Sequence, residues 1–370
     1  MELKKNSNVT RFFSPYFKDL DFPLFAAIVA VSIISILNLY GIGGVDSPYF
    51  IRQVIIVAAG AILMVLMSFF NYRYLKNYSF PVLLLYGIGI LLLLITLAES
   101  PIRGARAWIV VAGYTFEPAE LMKLALIIVM AKYFSQRHIH INQFHHIVIS
   151  GLYLLVPLGI ILLQPDLGSA STLLIIWGGM LIASGINKRH LFLLLSIGVV
   201  TAYLSWAFVL KDYQKERLIA FANPYKDPTG IGYNIIQSKI AIGSGYWVGN
   251  GLGNGSQATL RFLPEPHNDF VFAAFAEQFG LVGVLALIGL IIMILMRILR
   301  IGERSNNNFG KLFAIGFALF ILTHAIISAA VNIGLMPITG IPFPFLSAGG
   351  SNLLTLMVGL GLLQGIKRYG

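Results

Sequence analysis

Long apolar runs separated by short polar segments make up most of the chain. They cover residues 22–42, 54–70, 81–98, 119–134, 147–163, 167–186, 191–210, 270–296, 312–336 and 347–366. Crossing roughly 30 Å of hydrocarbon takes about 20 helical residues, and lipid-embedded backbone must satisfy its own hydrogen bonds. The pattern therefore predicts an all-α polytopic membrane protein. We expect a bundle of ten transmembrane helices in a single integral membrane domain, residues 1–370.

One long hydrophilic segment, residues 211–268, interrupts this pattern. Within it the run 235–242 is typical of a helix and is expected to lie along the membrane surface. Glycines recur between residues 243 and 255, where they permit positive φ angles, and we expect a flexible loop there. The first apolar run, 22–42, is too long for the core of a signal peptide and is predicted to remain as a span.

Composition and charge support a membrane protein and orient it. The chain is 57% hydrophobic and 11% charged, with a net charge of +11. Its Lys and Arg residues lie in short clusters between the apolar runs rather than on one basic face, so we expect no nucleic-acid partner. Most of them fall on the side that carries both termini, and the positive-inside rule makes that side cytoplasmic. Segment 211–268 is then one large extracytoplasmic loop. The absence of cysteine excludes disulfides and thiolate metal sites.

Charged residues within or beside the apolar runs are the first candidates for function. Glu120 and Lys123 are three residues apart, which places them on one helical face where they can pair. Ionisable residues at this depth are costly unless they face the bundle interior or a wet cavity, so the pair is either structural or functional. Asp166 follows a proline and is placed to cap the next helix; a functional role would require it to face the same cavity as Asp269.

A polar stretch with Glu265, His267 and Asp269 leads directly into the eighth apolar run. These three side chains fall at loop spacing that defines no metal geometry, so the sequence does not identify a metal site. A histidine cluster lies in the polar segment after the fourth run. We interpret its members as solvated loop residues, since no nearby carboxylate or cysteine completes a ligand set. They are His138, His140, His145 and His146.

Four motifs together resemble those of the SEDS (shape, elongation, division and sporulation) family. They are Gln-Pro-Asp-Leu-Gly at 164–168, Gln-Ser-Lys-Ile-Ala-Ile-Gly-Ser-Gly at 237–245, Phe-Leu-Pro-Glu with His-Asn-Asp-Phe-Val-Phe at 262–272, and Gly-Ile-Pro-Phe-Pro-Phe-Leu-Ser with Gly-Gly-Ser at 340–351. The run around Lys239 is more similar to the rod-shape members than to the division members. The resemblance spans essentially the whole chain.

The resemblance implies a ten-helix peptidoglycan glycosyltransferase that polymerises lipid II for cell elongation and rod shape. It also implies that the protein lies in the inner membrane, works with a class B penicillin-binding protein and has its active site on the extracytoplasmic face. The same resemblance implies that Asp269 is the essential acid. Family positions around the outer cavity are matched by Glu120, Lys123, Asp166, Arg217 and Lys239.

Two positions depart from the family pattern. Ala348 stands where many members have tyrosine, and Ala107 stands where many have an arginine before the tryptophan matched by Trp108. Arg106 is a candidate to take over that contact.

The chemistry follows from a sugar that already carries a diphosphate leaving group. The enzyme must deprotonate an acceptor hydroxyl and stabilise the departing charge. Asp269 suits the general base, and Lys239, Arg217, Lys123 or a divalent ion such as Mg or Mn suits the diphosphate; no other cofactor is evident. A flippase for lipid-linked precursors is the alternative, but it needs polar residues through the midplane, whereas most acids here fall near the outer face. A noncatalytic scaffold is the third hypothesis.

Overall fold

In a computed structural model the protein is almost entirely helical. The structure describes residues 20–102, 104–111, 113–137, 144–209, 215, 221 and 230–370. The first half contains α1 (Phe22–Gly43), α2 (Pro48–Ser68), the short α3 (Arg73–Asn77), α4 (Ser79–Thr96), α5 (Pro118–Arg137), α6 (Phe144–Leu163) and α7 (Leu167–Ala183). Before α5, strands β1 (Ile109–Val111) and β2 (Tyr114–Phe116) form an antiparallel hairpin.

The second half begins with α8 (Lys188–Leu204), which continues as a π-helical turn, Ser205–Val209. It continues with α9 (Ile231–Ser244), the short α10 (Ser256–Thr259), α11 (Val271–Arg304), α12 (Asn308–Ile333) and α13 (Gly350–Tyr369). Each of the ten apolar runs coincides with one long helix in these ranges. Seven of the helices are long and apolar enough to cross a membrane. The remaining three are the charged α5, the polar α13 and the shorter α7. The prediction of an all-α polytopic membrane protein is confirmed.

Helix α12 forms the centre of the bundle, whereas α8 lies at its edge. Of the most apolar 18-residue window of each helix, 72% is buried for α12 and 0% for α8. The core around α12 is built from stacked aromatic rings, including Phe313 and Phe317, whose centroids are 5.9 Å apart. Close packing of α13 on α2 relies on small residues, because a side chain at Gly361 would meet the backbone of Met64.

Helix α11 is broken near its N-terminal end, and the break is filled by the glycine-rich segment. Gly280 has φ 64° and ψ −168°, outside the helical region. The displaced backbone groups pair with residues 246–250: Leu281 N donates to the Tyr246 carbonyl (2.9 Å), and Asn250 N donates to the Glu277 carbonyl (2.9 Å). A side chain at Gly249 would collide with the Gln278 backbone. The expectation of a flexible loop is therefore wrong for these residues, whose glycines permit close backbone contact.

Helix α9 packs into the bundle instead of lying on the membrane surface alone. Its Ser238 hydroxyl donates to the Asn332 carbonyl at 2.6 Å, and Ala241 is buried beside Ala273 and Ala274 of α11. A sequence-based interpretation as a surface helix misses this, because a run with one small-residue face has only a weak amphipathic signal.

The other end of α11 is held by an ion pair. Arg297 donates to Asp21 through Nε (2.9 Å) and Nη2 (2.6 Å). Burial acts to raise the pKa of Asp21, but the hydrogen bonds from Arg297 and Leu24 and the charge of Lys367 hold the pKa below its usual range. This bidentate pair joins the start of α1 to α11.

The histidine cluster is only partly within the described ranges, since His138 and His140 lie outside them. His146 is buried, and its Nδ1 lies 2.9 Å from the Tyr133 hydroxyl. For His146 the interpretation as a solvated loop residue is wrong, because α6 begins at Phe144 and carries this side chain into the bundle.

Candidate active site

Asp269 lies in the short connection before α11, and its backbone is fixed by a buried asparagine. The side-chain amide of Asn332 donates to the Asp269 carbonyl (2.9 Å), and its oxygen accepts from Ala273 N (2.9 Å). Phe270, not Asp269, is the N-cap residue of α11. The place of Asp269 directly before the eighth apolar run would also allow a role as the N-cap residue alone, and this helix boundary does not match that role.

The loop between α12 and α13 supports Asp269 from the other side. The Ser347 hydroxyl donates to the Asn268 carbonyl (3.0 Å) and accepts from Phe343 N (2.9 Å). Ala348 N donates to the His267 carbonyl (2.9 Å). Because only the backbone of Ala348 makes this contact, the missing family tyrosine does not disrupt it.

Two cavities adjoin Asp269. The larger has a volume of about 350 Å³ and includes Glu117, Glu120, Lys123 and Asp166 in its lining. The smaller has a volume of about 180 Å³ and includes Tyr49, Arg52, Ser351 and Asn352. The residues that line both are Trp108, Glu117, Asp269, Gly340 and Pro342. Asp269 is thus a half-buried carboxylate at the boundary of two spaces that together suit two ligand parts.

Behind the larger cavity, Glu120 and Lys123 form the predicted pair. Lys123 Nζ donates to Glu120 Oε1 at 2.7 Å, and both side chains are fully buried. The Asn352 amide donates to the second Glu120 oxygen at 2.8 Å. The prediction that the two charges pair is confirmed, and each carboxylate oxygen has a donor, as a buried charge requires.

His324 of α12 completes this network. Lys123 Nζ lies 3.2 Å from its Nε2, and since an ammonium only donates, Nε2 must accept. The proton of this neutral ring is then on Nδ1. Its Nδ1 lies 3.3 Å from the amide nitrogen of Asn352, which lines the smaller cavity. The buried network therefore joins residues from the linings of both cavities.

Asp166 and Glu117 form the acidic wall of the larger cavity. Asp166 Oδ1 accepts from Ser169 N (2.9 Å), which confirms the predicted cap of α7. Asp166 also lines the larger cavity together with Asp269, which is the arrangement that a functional role for Asp166 requires. Glu117 precedes α5, and burial, together with the neighbouring Glu120 and Asp166 carboxylates, raises its pKa to about 8 against the opposing charge of Lys123.

The remaining predicted site residues are placed differently. Lys239 is exposed on α9 and packs against Gly334 at the end of α12 rather than lining either cavity. Arg106 is also exposed, and its guanidinium donates to the Leu97 carbonyl at 3.2 Å, outside both linings. Arg217 lies outside the described residues. Glu265 lies 3.1 Å from His267 and lines neither cavity.

No divalent-cation site is evident among the residues that the structure describes. There, no three His, Cys, Asp or Glu side chains converge closely enough to hold a metal ion. The carboxylates of the larger cavity line one wall without forming such a set. We therefore derive no step of the chemistry through a metal ion.

Sequence reasoning missed four residues of this site: Arg52, His324, Asn332 and Asn352. Three of them are polar residues within the spans α12 and α13, where a polar side chain is expected to face the interior. That rule alone was sufficient to single them out. Arg52 lies near the end of a span, where a charge is expected to set topology rather than to mark a site.

Comparison with known proteins supports the same fold. The chain is 34% identical over 358 residues to a probable peptidoglycan glycosyltransferase FtsW of Trichlorobacter lovleyi, covering 94% of this chain and 93% of that protein. It is 33% identical over 351 residues to peptidoglycan glycosyltransferase MrdB of Escherichia coli, covering 95% and 94%. These identities do not separate the division members from the rod-shape members.

Solved structures agree over nearly the full length. A chain of a peptidoglycan synthase complex, described for its coordination of polymerisation and crosslinking, matches with a TM-score of 0.80 and 33% identity, covering 94% of this chain and 98% of that one. The rod-shape-determining protein RodA of Thermus thermophilus matches with a TM-score of 0.71 and 28% identity, covering 96% and 98%. The family model of the FtsW, RodA and SpoVE cell cycle proteins matches residues 20–370. The resemblance to the SEDS family is confirmed, and the chain belongs to the FtsW/RodA/SpoVE family.

Proposed function

We infer that the chain is a peptidoglycan glycosyltransferase, the activity for which its relatives are named, and we propose that it polymerises lipid II with Asp269 as general base. The observation that carries this proposal is the position of Asp269 on the wall of two adjoining cavities. In a transfer between two lipid-linked sugars, the base must reach the acceptor hydroxyl at the place where it meets the donor sugar. Asp269 is a carboxylate in that position, held by Asn332.

In the proposed reaction an acceptor sugar hydroxyl attacks the anomeric carbon of the donor sugar. Its proton passes to the Asp269 carboxylate as the new C–O bond forms, and the bond to the diphosphate breaks with its electron pair on the leaving oxygen. Direct attack inverts the configuration at the anomeric carbon. Glu120 and Lys123 remain paired during this step and hold the wall of the cavity.

The cellular setting is proposed from the relatives and the charge pattern. We place the protein in the inner membrane with both termini cytoplasmic and Asp269 on the extracytoplasmic side, following the positive-inside rule. A reporter fused after residue 255 should then be active only outside the cytoplasm, and one fused after residue 305 only inside it. A class B penicillin-binding protein is the proposed partner, and the motif around Lys239 favours a role in elongation.

The decisive experiment uses purified protein in liposomes with lipid II as the only substrate. We expect glycan strands to form, detected by gel electrophoresis after labelling. A flippase would instead move lipid II between leaflets without forming glycan, and a scaffold would do neither. Absence of glycan from folded wild-type protein, alone and with the transpeptidase partner, would overturn the proposed activity.

A further inference from the structure

The two cavities beside Asp269 differ in charge. The larger has four acidic side chains in its lining, those of Glu117, Glu120, Asp166 and Asp269, and one cation, Lys123. That cation is already paired with Glu120 at 2.7 Å. An anionic ligand entering this cavity would meet uncompensated negative charge, whereas sugar hydroxyls and amide N–H groups would find acceptors.

The smaller cavity shares Glu117 and Asp269 with the larger one, but it lacks Glu120 and Asp166 and gains Arg52. The guanidinium carbon lies 5.0 Å from the centroid of the Tyr114 ring, which orients the group without neutralising its charge. Within the described part of the chain no carboxylate lies within ion-pair distance of Arg52. It is half-buried at the N-terminal end of α2, where a long side chain reaches the cavity from the membrane boundary.

Neutral donors accompany Arg52. Ser351 Oγ accepts from Glu117 N at 2.9 Å, which leaves the hydroxyl proton to donate towards the cavity. Asn352, whose amide donates to Glu120, lies in the same lining. A guanidinium with five N–H donors and an adjacent hydroxyl is suited to phosphate oxygens, which only accept.

We propose that Arg52 binds the diphosphate of the donor lipid in the smaller cavity, so that the acid-lined cavity receives the acceptor sugar. This inference rests on the proposed function and assigns the donor and the acceptor to separate cavities. As the bond from the anomeric carbon to the diphosphate breaks, the electron pair stays on the diphosphate oxygen beside Arg52. The proton of the acceptor hydroxyl moves to Asp269, on the boundary of the two cavities.

Direct binding tests the assignment without requiring turnover. We would measure the affinity of wild-type and variant protein for undecaprenyl diphosphate and for undecaprenol in detergent micelles. Charge-assisted hydrogen bonds support an expected loss of about 10-fold or more in diphosphate affinity for Arg52→Gln, with undecaprenol affinity unchanged. Arg52→Lys keeps the positive charge but not the planar set of N–H donors, and it should lose less diphosphate affinity than Arg52→Gln. The matched control is Arg261→Gln, an exposed arginine outside both linings, which should bind both lipids as the wild type does.

The outcomes separate the two proposals. Equal diphosphate affinity in wild type and Arg52→Gln, or an equal loss in Arg261→Gln, overturns the role of Arg52 even if glycan synthesis is normal. Loss of undecaprenol binding as well would assign Arg52 to folding or tail binding, which also overturns it. If the wild type makes no glycan, yet Arg52→Gln loses affinity for undecaprenyl diphosphate alone, the proposed polymerase activity is overturned. The role of Arg52 in binding a diphosphate is then supported.

Discussion

Glu120 and Asp269 line the same cavity, yet their surroundings differ in almost every respect. Glu120 is fully buried, and both of its oxygens accept a hydrogen bond, from Lys123 and from Asn352. Asp269 is half-buried at the boundary of two cavities, and its carbonyl accepts from the Asn332 amide. A carboxylate whose lone pairs are engaged by a buried cation is a poor proton acceptor, whereas one that faces a cavity can reach a substrate hydroxyl.

This contrast indicates that the charged residues of one site have different roles. The Glu120–Lys123 pair keeps an intramembrane wall in place, and Asp269 carries out the proton transfer. Changes to the two residues should therefore fail in different ways, one in stability and the other in turnover.

Asp269→Asn should have the largest effect on catalysis. Asparagine preserves the size of the side chain but cannot accept the hydroxyl proton. We expect the variant to fold, insert and bind lipid II, while glycan synthesis falls by the roughly 10²–10⁴-fold typical of losing general-base assistance. The measurement is the polymerisation rate of purified protein in liposomes. Near-normal synthesis would remove Asp269 from the mechanism.

Lys123→Met should instead destabilise the fold. It leaves the Glu120 charge buried without its cation, and breaking such a pair costs about 3–5 kcal/mol. The midpoint of thermal unfolding in detergent should drop accordingly. Adding Glu120→Gln removes the orphaned charge, so the double variant should recover much of the loss. If the double variant loses the sum of the two single changes, the residues are not coupled.

The residues in these two predictions show which contacts the sequence can predict. Spacing alone paired Glu120 with Lys123, and position alone identified Asp166 as a cap, because both depend on contacts within one or two helical turns. The support of Asp269 by Asn332, and the contact of Lys123 with His324, join residues far apart in the chain. No local pattern encodes such contacts. The same reason explains why the sequence does not predict the contact between residues 246–250 and the break in α11. The glycines are recognisable in the sequence, but their partners in α11 are not.

Asn332→Ala should weaken the positioning of Asp269 with a smaller effect than removing the carboxylate. It leaves the Asp269 carbonyl and Ala273 N without their buried partner, which costs about 1–3 kcal/mol for each unsatisfied group. We expect kcat to fall more than KM changes, since the base is displaced while the cavity lining persists. Asn332→Asp keeps the acceptor for Ala273 N but turns a carboxylate oxygen towards the Asp269 and Ser328 carbonyls, so it should lose at least as much stability as alanine.

The control for this prediction is Asn306→Ala, an exposed loop residue that bonds only the Gly370 carbonyl among the described contacts. It should leave kcat and the unfolding midpoint close to those of the wild type. A KM increase without a change of kcat in Asn332→Ala would assign Asn332 to substrate binding instead.

Glu117→Gln should have the smallest effect at neutral pH and a distinct one at alkaline pH. Burial and the nearby Glu120 and Asp166 carboxylates raise the pKa of Glu117 to about 8, so its carboxyl is protonated at pH 7 and glutamine is a close substitute. Because the folded-state pKa lies above the ordinary value of 4.5, the bound proton stabilises the fold fully below that value. This stabilisation is lost as the pH rises through about 8.

Above that pH Glu117 adds a negative charge to the linings of both cavities, which disfavours both the fold and the approach of a diphosphate to Arg52. Wild-type glycan synthesis should therefore decline between about pH 7.5 and 9.5, and Glu117→Gln should lack this decline because an amide does not ionise. The exposed Glu303→Gln is the control and should follow the wild-type profile. The same alkaline decline in Glu117→Gln would show that another group titrates there, and the contrast between engaged and reactive carboxylates would then rest on Glu120 and Asp269 alone.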